Sequence, residues 1–299
     1  MVRGEGHYRV QMNRFPALSR AIRTLFPPEV ADLFVPLTYL GDPTILLLVV
    51  AGVYWRTADR GWSAALLPVA LGGLALSSGL KGHFALARPP VEYHRIAVGG
   101  LAFPSGHALG STVVYAATAL AVDFGTRTRR FAAAGLVVGA VALSRVVLGV
   151  HYLGDVVAGI AVGLAYVALV ARLTRQDVRS AQHDARPAYW AALLLAAGAA
   201  VGGHGVVLLG AAAGGLVGWT AVPVADRQRL DLPSYSVVLA GLLAVLGLRL
   251  ASHFAPPRPL LRAGLHAVAA FGIVALPTVE WSRLARAWRR LGQRGERPE

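Results

Sequence analysis

Nine predominantly apolar runs, most of them about 20 residues long, are separated by proline, glycine and charge breaks along this 299-residue chain. No other feature restricts the fold as much. About 20 apolar residues in a helix cross the ~30 Å hydrocarbon core of a bilayer, and lipid tolerates only segments whose backbone N–H and C=O groups are satisfied internally. Spanning helices are therefore expected near 33–55, 62–84, 106–124, 131–149, 153–172, 188–202, 205–222, 234–253 and 261–282. The expected fold is an all-α polytopic membrane protein with about nine transmembrane helices, the break at Gly203 being the weakest. A hydrophobic fraction of 56%, a charged fraction of only 15% and a mean hydropathy of +0.55 agree with a bilayer as solvent.

The net charge of +14 points to topology rather than to nucleic acid, because the basic residues sit in short clusters between apolar runs. Arg56 and Arg60, Arg127 to Arg130, Arg172 to Arg186, Arg227 and Arg229, and the tail from Arg283 mark one face as cytoplasmic by the positive-inside rule. The opposite face keeps Arg95, Arg249, Arg258 and Arg262. The amino-terminal arginines fit poorly, since they fall outside unless residues 15–29 dip into the bilayer and return. Residues 1–32 carry no clear signal peptide and are expected to form an amphipathic interfacial segment. A membrane core over 33–173, a polar linker at 174–187 and further helices with a basic tail over 188–299 complete the expected organisation. The absence of cysteine excludes disulfides, thiolate metal sites and a cysteine nucleophile. Gly135/Gly139, Gly159/Gly163 and Gly210/Gly214/Gly218 repeat at four-residue spacing, as helix packing in lipid favours.

Charged and imidazole side chains at membrane depth are costly, so they mark functional candidates. Lys81, the one lysine beside 28 arginines, closes the second run, and Arg88-Pro89 follows it. Pro104-Ser105-Gly106-His107 opens the third, Ser144-Arg145 closes the fourth, and His151 and Asp155 open the fifth. Helices alternate in direction, so these ends meet at one face. Three cations and a Ser-Gly turn at a helix amino terminus, with its free amides and dipole, suit a phosphate. Histidine serves either as nucleophile or as proton donor. If 151–155 is helical, its i,i+4 spacing lets Asp155 orient His151, leaving His107 for the leaving oxygen.

This three-part set resembles the signature of the type 2 phosphatidic acid phosphatase superfamily, over about residues 33–172. The resemblance implies a phosphatase/haloperoxidase-like core bundle in its membrane lipid phosphatase branch. It implies His151 as nucleophile, Asp155 as its support and His107 as acid, with Lys81, Arg88, Ser105, Gly106 and Arg145 binding phosphate and with no metal or other cofactor. The expected activity is hydrolysis of a lipid or isoprenoid phosphate or diphosphate, through a phosphohistidine, at the extracytoplasmic face of the cell membrane. The expected partners are the bilayer and its lipid phosphates, not nucleic acid, with homo-oligomerisation left open. Two rivals remain: a phosphotransferase with a sugar or inositol acceptor, and a lipid transport or binding protein with a secondary phosphatase site. Asp42 reads equally as a partner of Arg88 or Arg145 and as the polar flank of a helix starting at Pro43. His83 and His94 are minor substrate-contact candidates; His204, His253 and His266 form no recognisable signature. Glu280, Trp281 and Arg283 read as an interfacial anchor.

Overall fold

The structure, a computed structural model, describes residues 14–56, 60–174, 184–221, 235–254 and 258–276. The described residues are helical, with no strand among them. Three short helices, α1 (Pro16–Thr24), α2 (Pro28–Ala31) and α3 (Phe34–Tyr39), precede the longer α4 (Pro43–Arg56), α5 (Arg60–Phe84), α6 (Gly106–Ala121), α7 (Arg127–Val147) and α8 (Leu153–Thr174). Then follow α9 (Arg186–Val201), α10 (Val206–Ala221), α11 (Tyr235–Phe254) and α12 (Pro259–Ala275). Most of the linker and the Glu280, Trp281 and Arg283 anchor lie outside the described residues.

Three of these helices, α5, α7 and α8, are long and apolar enough to cross a bilayer. A fourth span is added if the segment that was expected to run unbroken over 33–55 counts as one. That segment bends by 46° between Tyr39 and Pro43. The cause is local: Asp42 Oδ1 accepts from Thr44 N at 2.7 Å, capping a new helix whose first residue is proline, the residue tolerated there because that N–H has no helical partner. Asp42 thus flanks the helix, and its charge also acts on Arg145. Helices α9, α10 and α12 and the middle of α11 are apolar but shorter. Leu136, Leu164, Leu194 and Leu243 are each more than half exposed, as expected of side chains that meet lipid rather than water.

Helix α6 is central, packing on α5, α7 and α8, and α5 carries α9 on another face. Gly159 and Gly163 let α8 close on α6: a Cβ at Gly159 would lie 2.7 Å from the Ser105 carbonyl oxygen, and one at Gly163 would lie 2.9 Å from Thr112 Cβ. Gly210 and Gly214 likewise bring α10 against the backbone of α12 at Ala263 and Ala267. Gly135 and Gly139 depart from that expectation, since a Cβ at either would meet nothing within 4 Å. The carboxy-terminal helices are not a detached unit. Helix α11 packs on α4, and Trp55 Nε1 of α4 donates to the Ile273 carbonyl of α12 at 2.8 Å.

Candidate active site

The end of α5, the start of α6, the end of α7 and the start of α8 meet, and the expected residues meet with them. Arg88 lies in the loop after α5. Its guanidinium is fixed from three directions, with Nε donating to the carbonyls of Gly99 (3.1 Å) and Gly100 (3.2 Å) and Nη1 to that of Val150 (2.9 Å). Nη1 also lies 3.0 Å from His151 Nε2. A guanidinium only donates, so Nε2 is the accepting, unprotonated nitrogen. The ring proton then sits on Nδ1, 3.3 Å from Asp155 Oδ2. The contact forms although His151 lies in the turn before α8 and not in the helix, so it does not depend on the helical 151–155 that the spacing argument took as its condition.

His151 and Asp155 are almost inaccessible, at 1% and 0% exposure. Burial above all pushes the His151 imidazolium well below its usual pKa. The hydrogen bond to Asp155 opposes that, the cations Arg88 and Arg145 add to it, and the Asp155 charge opposes it again. The result is a neutral imidazole with a lone pair on Nε2. Burial also lowers the Arg88 pKa, against the raising effect of Asp155.

The sequence did not point to Arg14. From just before α1, its Nε donates to Asp155 Oδ1 at 2.7 Å and its Nη2 to Oδ2 at 2.9 Å, with the arginine itself only 3% exposed. Tyr152 N donates to the same carboxylate at 3.0 Å. The segment is held by more than that pair. Gly154 N donates to the Arg14 carbonyl at 3.1 Å, Leu153 N donates to Ser19 Oγ at 2.8 Å, and Arg14 lies over the Tyr152 ring at 4.7 Å. Helix α1 therefore turns Ser19, Ile22 and Arg23 to the protein while Leu18 stays exposed. This puts Arg14 and Arg23 on the site face, with Arg14 paired to Asp155 and Arg23 stacked on Tyr93 at 4.5 Å, while Arg3 and Arg9 lie outside the described residues. The only sequence signal was an arginine just ahead of an amphipathic run.

Lys81 Nζ donates to the Leu101 carbonyl at 2.7 Å. Gly106 leaves room for this lysine, since a Cβ there would lie 3.4 Å from Lys81 Cε and 3.3 Å from Ser77 Oγ. Ser105 caps α6, its Oγ accepting from Ala108 N at 3.4 Å, and its own N–H donates to the Asp155 carbonyl at 2.9 Å. Arg145 is 2% exposed and donates from Nη1 to Thr38 Oγ1 at 2.6 Å. Its Nε is buried with no acceptor among the described residues, a costly state for a donor.

A cavity of about 340 Å³ opens on Lys81, Arg88, Gly106, His107 and His151, and Ser105, Arg145 and Asp155 are not among the residues that line it. His83 and His94 are not on this wall. His83 is exposed and packs edge-on to Phe84, and His94 Nε2 lies 3.0 Å from the Pro89 carbonyl, a contact that suits a structural hydrogen bond. His266, on α12, does line the cavity, with Nδ1 2.8 Å from the Arg262 carbonyl.

The loop that presents His151 depends on Gly149. Its φ is +74°, and a Cβ there would strike the Tyr93 carbonyl. Gly149→Ala is expected to lower thermal stability, by about 1–2 kcal/mol from the left-handed backbone alone and by more from the clash. Turnover should fall with it as His151 shifts against Arg88, a pairing that melting and activity measurements on the same purified variant will check.

Cations, a helix amino terminus and an oriented imidazole around one cavity, at the ends of long apolar helices, suit phosphoryl transfer in a membrane protein. Residues 62–179 match the family model of the PAP2 superfamily. Phosphatidylglycerophosphatase B of Bacillus subtilis is 28% identical over 166 residues, covering 52% of this chain and 80% of the relative. The crystal structure of the first transmembrane PAP2 type phosphatidylglycerolphosphate phosphatase from Bacillus subtilis superposes with a TM-score of 0.50 at 24% identity, covering 58% of this chain and 90% of that one. Over residues 62–179 this chain is similar to the PAP2 superfamily, and it is a hydrolase of the phosphatidic acid phosphatase type. Helices α9 to α12 lie beyond the family match.

Proposed function

We propose that the chain hydrolyses a lipid or isoprenoid phosphate or diphosphate by metal-independent phosphoryl transfer to His151, at the extracytoplasmic face of the cell membrane. The observation that carries this reading is the His151 tautomer: Arg88 faces Nε2, Asp155 takes the Nδ1 proton, and the cavity opens on the ring. Lys81, Arg88 and Arg145, with the α6 amino terminus at Ser105 and Gly106, neutralise the phosphoryl oxygens, which is the main electrostatic demand of this chemistry. His151 Nε2 attacks phosphorus and forms the P–N bond. The ester P–O bond breaks, and the leaving oxygen takes a proton from His107. Water then attacks the phosphohistidine, His107 takes the water proton, the P–N bond breaks, and inorganic phosphate leaves with His151 restored.

The catalytic core is assigned to 33–173 and the span count to nine, with the shorter helices crossing a bilayer thinned around them. The basic loops opposite the site support its extracytoplasmic placement. The name of the Bacillus relative makes phosphatidylglycerophosphate one substrate to try, beside phosphatidic acid and polyprenyl diphosphate. The test is phosphate release from that panel by the full chain in detergent with a chelator present, followed by a search for acid-labile labelled histidine. Turnover that survives the chelator with label on His151 is expected. Turnover abolished by the chelator and restored by a divalent cation would overturn the metal-free reading.

A further inference from the structure

We infer that α10, α11 and α12 build the receptor for the hydrocarbon tail of the substrate, so the carboxy-terminal half sets tail preference. This rests on the lipid phosphatase reading for the identity of the headgroup. The carrying observation is continuity: one cavity has Lys81, Arg88 and His151 on its wall and, on the same wall, Leu71 and Leu74 of α5, Leu208 and Ala211 of α10, Val245 of α11 and Ala269 of α12. A cavity of 340 Å³ is of the size that holds small ligands. From Lys81 back to Leu71 is ten residues of α5, about 15 Å of helix at 1.5 Å per residue. A phosphate at the Lys81 end therefore leaves an apolar channel of that reach for what the phosphate is attached to.

The occupant is a tail and not a second protein segment, because among the described lining residues the cations Lys81 and Arg88 lie at the phosphate end and the wall from α10 to α12 is apolar apart from His266. The packing of α10 to α12 is also built to hold this wall in place. Gly210 and Gly214 join α10 closely to α12, and Trp55 ties α12 to α4. None of these helices falls within the family match, so the added half completes a chamber to which the core contributes Leu71 and Leu74.

The probes are alkylphosphonates from butyl to decyl, whose C–P bond is not cut by phosphate-ester hydrolysis, with binding to the full chain in detergent measured separately from turnover. In the unmodified protein Kd should fall with each added methylene, by up to about fourfold, and level off once the chamber is full. Ala211→Phe should flatten the fall while butylphosphonate binding stays within about twofold. Leu208→Ala, which enlarges the chamber, should move the levelling-off to longer chains, and it keeps the inference testable should Ala211→Phe not fold. A Kd independent of chain length in the unmodified protein, or a length profile unchanged in Leu208→Ala, overturns the inference. Length-dependent binding without hydrolysis of any lipid phosphate leaves the chamber standing and overturns the phosphatase reading instead.

Discussion

Arg14→Ala is expected to reduce kcat by about 100-fold or more with little change in KM, and free guanidinium is expected to restore part of the loss. The Asp155 carboxylate is fully buried and takes both hydrogen bonds of this guanidinium, at 2.7 and 2.9 Å. Removing one partner of such a pair leaves an uncompensated buried charge, at a cost of about 3–5 kcal/mol. The carboxylate also holds the Nδ1 proton of His151, so any rearrangement that relieves it disturbs the tautomer that exposes Nε2. In the serine protease triad, loss of the equivalent carboxylate lowers kcat about 10⁴-fold through the wrong tautomer. Arg14 acts one step further from the reacting atoms, hence the smaller figure. Arg14→Lys should fall between, since an ammonium supplies charge without the planar two-bond fork. Had Arg14 only fastened the amino-terminal segment, yield and melting temperature would drop but guanidinium would not raise kcat, and that outcome would remove Arg14 from the catalytic arrangement.

The second large effect is at His151 itself. His151→Ala should lower turnover by at least about 10³-fold and eliminate the labelled histidine, while the protein remains folded and still binds an alkylphosphonate, because loss of a nucleophile removes the covalent route itself. The pH dependence has a defined sign. Burial first, then Arg88 and Arg145, hold the imidazole neutral against the opposing pull of Asp155. The lone pair is thus available across the neutral range, and the acid limb of kcat/KM that belongs to His151 lies well below the usual 6.5, while loss of the His107 proton sets the alkaline limb. An acid limb for kcat/KM near 6.5 that tracks His151 would contradict this. The same shift bears on stability. Below about pH 6.5 the unfolded chain binds a proton at this residue that the folded chain refuses, so its contribution is full above 6.5 and declines as the pH falls toward the folded pKa.

The bilayer explains why so much was legible in the sequence. Hydropathy is a local property, and the lengths it demands are fixed by lipid thickness. The starts and ends of α5 to α8 could therefore be read within a few residues. Alternating helix direction then brought Lys81, Arg88, Gly106, His107, Arg145, His151 and Asp155 to one end without any knowledge of packing. The isolated lysine at 81 stood out because cations in lipid need a reason.

What remained hidden depends on contacts that no local pattern encodes. Arg14 pairs with a residue 141 positions away, and in sequence it is indistinguishable from a basic flank of an interfacial helix. The bend ahead of α4 depended on whether Asp42 turned to Thr44 N, a choice made by side-chain geometry. The apolar wall of α10 to α12 read only as more membrane, since an inward-facing leucine and a lipid-facing leucine look alike when both solvents are apolar. The sequence by itself determined the membrane class, the convergence of the phosphate-binding ends and the chemistry they suit. Only the tertiary structure decided which cation holds Asp155 and which helices enclose the cavity, because both rest on long-range packing rather than on residue spacing.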